Sequence, residues 1–239
     1  MKRKLGSMLV MLLIGNTALA QNIILATHDL APYGSYPPGS DIRRVADDRF
    51  KGIAVDRLRC AMEGLNQNLQ VLVVPWRRAQ HLAESHQVDG FFAGSQNDYR
   101  DSYAVMSEQI ADQNWQWYWM KSPTRDSAAS IDKSNLGRIG AFQGSNMAKW
   151  LEANQYPIFS RPKTTEQLLL QLKIGRVDTV IANNLVVDAL LEEYGWKDLV
   201  ATKIAKEKPL GVYFTKHFLN QRPKAWLDEF NQSLSKCIK

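Results

Sequence analysis

Asp89-Gly90-Phe91-Phe92-Ala93-Gly94-Ser95-Gln96-Asn97-Asp98-Tyr99-Arg100 runs from an apolar segment into a polar loop and stops on an arginine. Residues 89–93 read as a buried strand. A strand end opening into a cleft, with polar side chains and one fixed cation, is where small anions dock in α/β proteins. Arginine suits a carboxylate because its planar fork donates two parallel hydrogen bonds. The competing reading of Arg100 is a solvated arginine after a turn.

The segments before this stretch explain how such a strand end arises. Ile23 to Thr27 is a β-branched, apolar run and predicts a strand that ends at His28-Asp29. Residues 28–50, broken by Pro32, Gly34, Pro37, Pro38 and Gly39, predict a long polar connection. From Gly52, apolar residues at Ile53, Val55, Leu58, Ala61, Met62 and Leu65 recur at helical spacing. Leu69 to Val74 predicts a second strand and Trp76 to His86 a second helix. Strand, helix, strand, helix, strand implies a parallel sheet with right-handed crossovers.

Beyond Arg100 the same grammar returns. Ala104 to Met106 and Trp115 to Met120 predict strand segments, and a Ser/Thr/Asp-rich stretch at 122–135 marks a surface boundary. Strands follow at 138–142, 158–160 and 178–182, alternating with helices at 145–153, 164–174 and 184–194. A last strand at 210–215 precedes an amphipathic helix at 223–237, with Trp226, Leu227, Phe230 and Leu234 on one face. Arg176-Val177-Asp178 mirrors Gln87-Val88-Asp89 as a turn delivering an apolar strand. The expected fold is α/β, two Rossmann-like lobes joined by a two-strand hinge with a cleft between them. The expected division is 21–117 for lobe 1, 118–207 for lobe 2 and 208–239 for a return to lobe 1. Trp115, Trp117 and Trp119 alternate at strand period, so one face meets the cleft or hinge, and at least two of the three are expected to pack rather than stack on a ligand.

The chain opens Met1-Lys2-Arg3-Lys4, continues apolar from Leu5 to Ile14 and reaches Ala18-Leu19-Ala20. A basic head, a short apolar middle and a small-residue ending predict a secretory signal cut after Ala20; the apolar part is too short for a membrane anchor. The mature protein is therefore expected to be soluble and exported. Removal of the signal leaves 27 Lys and Arg against 24 Asp and Glu, a formal +3 instead of +6. That balance, with no basic run, argues against nucleic acid as a partner. The two cysteines, Cys60 and Cys237, are expected to form a disulfide in an oxidising compartment, with two buried free thiols as the alternative.

The ordered set F-K-G-I-A-V-D at 50–56, P-W-R-R-A at 75–79, V-D-G-F-F-A-G-S at 88–95, Arg100, G-A-F-Q-G-S at 140–145 and G-R-V-D at 175–178 resembles the type II periplasmic solute-binding proteins of extracellular solute-binding family three, the polar amino-acid binders. The resemblance spans the mature chain and implies a periplasmic location. It implies a Venus-flytrap mechanism in which a ligand bridges two lobes, with the ligand carboxylate on Arg100. It also implies donors from Ser95 and from the helix start at Gly144-Ser145, an apolar wall at Trp76, and a closing loop at Tyr33. The loop before Arg100 is one residue shorter than the family pattern, leaving open whether Ser95 or Gln96 faces the ligand. Where that pattern has an ammonium-binding carboxylate, this chain has Asn183-Asn184, with Asp188 a turn further on. An amide accepts a hydrogen bond but brings no charge, so the expected ligand is a small carboxylate, an amino acid or related organic acid, with the need for an α-ammonium left open and an aromatic or non-standard acid among the candidates.

The function expected is capture of that ligand by a monomer for an ABC-type membrane permease. The alternatives are a receptor for a membrane sensor and a dehydratase-like enzyme on the same fold. Enzyme chemistry would need an acid or base in the cleft. His28 is at a strand end, while His81 and His86 sit on a predicted surface helix and His217 starts a late connection. No His/Cys/Asp spacing suits a metal and no G-x-S-x-G occurs, so neither cofactor nor metal is expected. Glu84, Asp126 and Lys133 are exposed charges of the kind a partner reads.

Overall fold

The computed structural model describes residues 22–123 and 133–238. The predicted signal and Asp126 lie outside them. In chain order the first half comprises β1 (Ile23–Thr27), α1 (Ile53–Gly64), β2 (Leu69–Val73), α2 (Trp76–Glu84), β3 (Gly90–Ser95), α3 (Asp98–Tyr103) and β4 (Ala104–Met106). The second half comprises β5 (Asn114–Met120), β6 (Ile139–Ala141), α4 (Asn146–Ala153), β7 (Ile158–Ser160), α5 (Thr165–Lys173), β8 (Thr179–Asn183), α6 (Asn184–Glu193) and β9 (Val200–Glu207). β10 (Leu210–Thr215), α7 (Lys216–Leu219) and α8 (Trp226–Cys237) close the chain.

Two five-stranded sheets result, ordered β2-β1-β3-β10-β4 and β7-β6-β8-β5-β9. In each, three parallel strands are joined by an antiparallel strand that has just crossed from the other lobe: β10 beside β3, and β5 beside β8. The crossings run side by side. Leu210 donates to the Ala111 carbonyl at 2.9 Å, Ile110 to Leu210 at 2.7 Å and Lys208 to Gln113 at 3.0 Å. The whole of β5 pairs in the second sheet, so the expected lobe boundary at 117 falls inside a strand and the first crossing lies at 107–113.

β3 is buried at all six positions, as suits the centre of a parallel sheet covered on both faces. Phe91 joins the cluster under α2, while Phe92 joins the larger core with α1 and α8. Gly90 is required by proximity, since a Cβ there would lie 2.0 Å from the Tyr213 carbonyl oxygen on β10. Opposite Phe92 and Gly94 the β10 register slips, leaving Ala93 as the extra residue of a bulge with φ at 59°. The bulge turns the strand just before Ser95.

The mirrored aspartates do the same work in both lobes. Asp89 Oδ2 accepts from the Ile24 N–H at 2.7 Å, and Asp178 Oδ2 from the Arg138 N–H at 2.7 Å. Each carboxylate thereby ties the start of its own strand to the start of the neighbouring one.

Three elements depart from expectation, the short α7 among them, where a connection was expected. β9 was not anticipated, because only Val200 and Ala201 of its eight residues are buried and the rest is Lys-rich, as an edge strand tolerates. α3 replaces an expected loop, nucleated by Asn97, whose side chain accepts from the Arg100 N–H at 3.0 Å.

Cys60 and Cys237 form the expected disulfide between α1 and α8, 177 positions apart. Beside it, Ser233 donates to the Ala61 carbonyl at 2.8 Å. Loop-closure entropy for a loop of this length is worth about 5 kcal/mol. A Cys60→Ser/Cys237→Ser variant is therefore expected to unfold at clearly lower urea than wild type, with reductant reproducing the shift. Coincident unfolding curves would show that the bridge adds nothing to stability.

Candidate functional site

The carboxyl ends of the parallel strands and the amino ends of the following helices face each other across the lobes, and a cavity of about 250 Å³ lies between them. His28 and Asp29 after β1, Trp76 at the start of α2, and Ser95 with Arg100 line it from the first lobe. Phe142, Ser145, Asn146 and Met147 line it from the second, with Thr165 and Asn183 at the starts of α5 and α6. Trp115 and Gln113 form its floor near the crossings.

Arg100 is 2% exposed. Its Nε and Nη2 donate to Gln80 Oε1 at 3.1 and 2.9 Å, and its Nη1 donates to the Ser95 carbonyl at 2.5 Å. The guanidinium lies over Trp76 at 5.1 Å and Phe91 at 5.6 Å, ring faces that stabilise a desolvated cation. All its protein acceptors are neutral, and among the described residues no carboxylate lies within ion-pair distance. Burial lowers its pKa to about 10, so it stays charged at neutral pH. Two N–H groups remain, one on each terminal nitrogen, which is the edge a carboxylate takes.

On the facing lobe, Ser145 caps α4 by accepting from the Ala148 N–H at 3.1 Å. The helix presents its first-turn N–H groups and positive dipole end to the cavity. Asn146, the next residue, crosses to the first lobe. Its Nδ2 donates to Ser95 Oγ at 2.8 Å and to the Ser95 carbonyl at 3.0 Å, while its Oδ1 accepts from Asn97 Nδ2 at 2.6 Å. The Ser95 carbonyl thus serves both Arg100 and Asn146. Lys208 Nζ adds a further link near the crossing, donating to the Gln96 carbonyl at 3.0 Å.

His28 packs against Trp76 with ring centroids 4.8 Å apart, and its Nδ1 is buried without a hydrogen-bond partner. Burial first, and the nearby Arg100 charge second, lower its pKa to about 4, so the imidazole is neutral at physiological pH. Asp29 accepts from the Tyr36 N–H at 3.3 Å, and burial raises its pKa. Asn183 Oδ1 is likewise buried and unpartnered.

Of the residues expected at the site, Arg100, Ser95, Trp76, Ser145 and Asn183 meet at this cavity and three do not. Gln96 is exposed and bonded to Asp101, while Ser95 is buried and turned inward. Gly144 is an exposed turn residue at φ 73° that sets up the Ser145 cap. Tyr33 is 1% exposed in the first-lobe core, because its turn is pinned onto the start of α1: Ile53 donates to the Pro32 carbonyl and Ala54 to that of Tyr33, both at 2.9 Å. Gly52 permits that contact, since a Cβ there would meet the Pro32 oxygen at 2.6 Å. Trp117 and Trp119 pack in the second-lobe core, leaving Trp115 to reach the cavity. Sequence reasoning missed Asn146, Gln80 and Asp29. The position of Asp29 beyond the first strand was the available signal; Gln80 and Asn146 carried none beyond their helices.

No protein-family model matches this chain, and a search of curated proteins finds no match. Solved structures do match. A substrate-binding protein of an ABC uptake transporter from Streptococcus pneumoniae with bound histidine superposes at a TM-score of 0.71 with 16% identity, covering 91% of this chain and 87% of that one. The arginine-, lysine-, histidine-binding protein ArtJ from Geobacillus stearothermophilus gives 0.68 at 17% identity, covering 91% and 90%. The GluR0 ligand-binding core from Nostoc punctiforme in complex with L-glutamate gives 0.68 at 16% identity, covering 90% and 92%. At these identities the likeness establishes the fold: this chain has the two-lobed α/β architecture of amino-acid substrate-binding proteins. Among the described residues no helix is long and apolar enough to cross a membrane.

Two outcomes follow from this geometry. Between about pH 6.5 and pH 4 the unfolded chain takes up a proton on His28 that the folded protein refuses, so stability falls as pH drops through that window, by at most about 1.4 kcal/mol per pH unit. Asp29, raised by burial, acts in the opposite sense, so the comparison is between wild type and His28→Gln. The variant is expected to flatten the acid limb of urea midpoint against pH, and parallel limbs would contradict a neutral buried imidazole. Asn146→Ala removes the hydrogen bonds across the lobes at about 1 kcal/mol each. A larger radius of gyration by small-angle scattering is expected, and an unchanged one would show that other contacts hold the lobes together.

Proposed function

We propose that this chain is a periplasmic solute-binding protein that captures a small carboxylate between its lobes and delivers it to an ABC-type membrane permease. The observation carrying this reading is the Arg100 guanidinium, buried at the cleft with neutral partners only and two N–H groups to spare. Helix α4 points its N-terminal dipole at the same space from the facing lobe. A ligand gripped by both sides favours the closed form by its differential affinity for it. The exported location is supported by the basic, apolar and small-residue leader of the sequence and by the disulfide. The solved structures of like fold include substrate-binding proteins of ABC transporters and a ligand-binding core, which supports a binding role over a catalytic one.

A thermal-shift screen of the mature protein against amino acids and organic acids tests this. A ligand at 100 times its Kd adds about 2.7 kcal/mol, a visible shift. Arg100→Met is expected to weaken the hit about 100-fold, since it removes a charged bidentate contact. Because Arg100 also supports the Ser95 loop, Ser95→Ala serves as the milder variant and is expected to weaken binding several-fold with folding intact. Hits confined to uncharged compounds, or unaffected by both substitutions, would overturn the assignment.

A further inference from the structure

The second lobe offers the ligand acceptors without charge. Asn183 ends β8 and is the residue before α6, yet its side chain makes no capping hydrogen bond. Its neighbour Asn184 is occupied, accepting from the Asn114 N–H at 2.8 Å. Asn183 lines the cavity, and its side-chain carbonyl oxygen is buried and unpartnered. A buried carbonyl without a donor is destabilising, and a ligand O–H or N–H relieves it. His28, which lines the cavity from the first lobe, likewise has a buried Nδ1 without a hydrogen-bond partner.

The surrounding charges decide what kind of donor fits. Arg100 is a buried cation, and α4, α5 and α6 all present their positive N-terminal ends to the cavity. A ligand ammonium beside Asn183 would be desolvated against the start of α6 with no carboxylate of that lobe buried near it. Glu166 lines the second-lobe side but is exposed, as is Lys163 beside it. Asp29 is the other carboxylate, on the first lobe, where it already accepts from Tyr36. An uncharged donor meets the Asn183 carbonyl without that desolvation cost.

We infer that the cleft selects carboxylates whose second polar group is an uncharged hydrogen-bond donor, such as a 2-hydroxy acid, over the matching α-amino acids, and that Asn183 is the residue that reads this group. This rests on the carboxylate-binding role proposed above for Arg100.

The test is isothermal titration of the full mature chain with matched trios: 3-phenyllactate, phenylalanine and 3-phenylpropionate, then 2-hydroxyisocaproate, leucine and 4-methylpentanoate. In at least one trio the hydroxy acid is expected to bind ten-fold or more tighter than the amino acid. Asn183→Asp is expected to reverse that order. Asn183→Leu, which keeps the volume and removes the acceptor, is expected to weaken the hydroxy acid about ten-fold while leaving the unsubstituted acid unchanged. An amino acid that binds tightest, lost in Arg100→Met, overturns the inference and leaves the carboxylate reading standing; if Asp29→Asn also abolishes it, the ammonium is read by the first lobe. Absence of binding by every acid in the trios and in the wider screen overturns both.

Discussion

A guanidinium taken almost wholly out of water needs acceptors and ring faces on every side, and supplying them to Arg100 shapes the centre of this molecule. Gln80 from α2 covers one edge, the Ser95 carbonyl another, and Trp76, Phe91 and Tyr213 surround the plane. None of these partners is charged, and among the described residues no ion pair neutralises the positive charge. It is left to act across the cleft, in a low-dielectric space where it is felt more strongly than in water. The same Ser95 carbonyl that holds the guanidinium also receives Asn146 from the facing lobe. The anion site and the lobe contact are therefore one hydrogen-bonded unit.

That unit depends on the double crossing of the chain. β10 returns from the second lobe to lie beside β3, and its Tyr213 hydroxyl accepts from the Asn97 N–H and donates to Asp101 at 2.8 Å. Helix α3, and with it Arg100, is thus positioned by a residue more than a hundred positions away. The six-residue helix has little stability of its own; β10 and the Asn97 cap hold it. The disulfide acts on the far side of the first lobe, joining α1 to α8 across its larger core.

The alternation of strand and helix was legible because each half repeats a buried strand after a polar turn, and Asp89 and Asp178 mark equivalent places in the two repeats. Arg100 was expected at a strand end that opens into the cleft, whereas Ser95, Trp76 and Ser145 were expected only through the resemblance; all four line the cavity. Tyr33 was misplaced because its turn folds onto α1, a contact that periodicity does not reveal. β9 was missed because an edge strand buries little and so carries few apolar residues.

Local order in the chain was enough for the class of fold, the two-lobed plan and the cation at the third strand's end, since these follow from periodicity, turn residues and strand polarity, while the cysteine pairing was expected only from two cysteines in an exported chain. Tertiary structure alone decided which side chains meet across the cleft. Asn146 reaching Ser95, Gln80 covering Arg100, and the unpartnered polar atoms of Asn183 and His28 all arise from packing between segments distant in sequence. A side chain's partner is set by where two surfaces come to lie together, and that is a property of the folded whole.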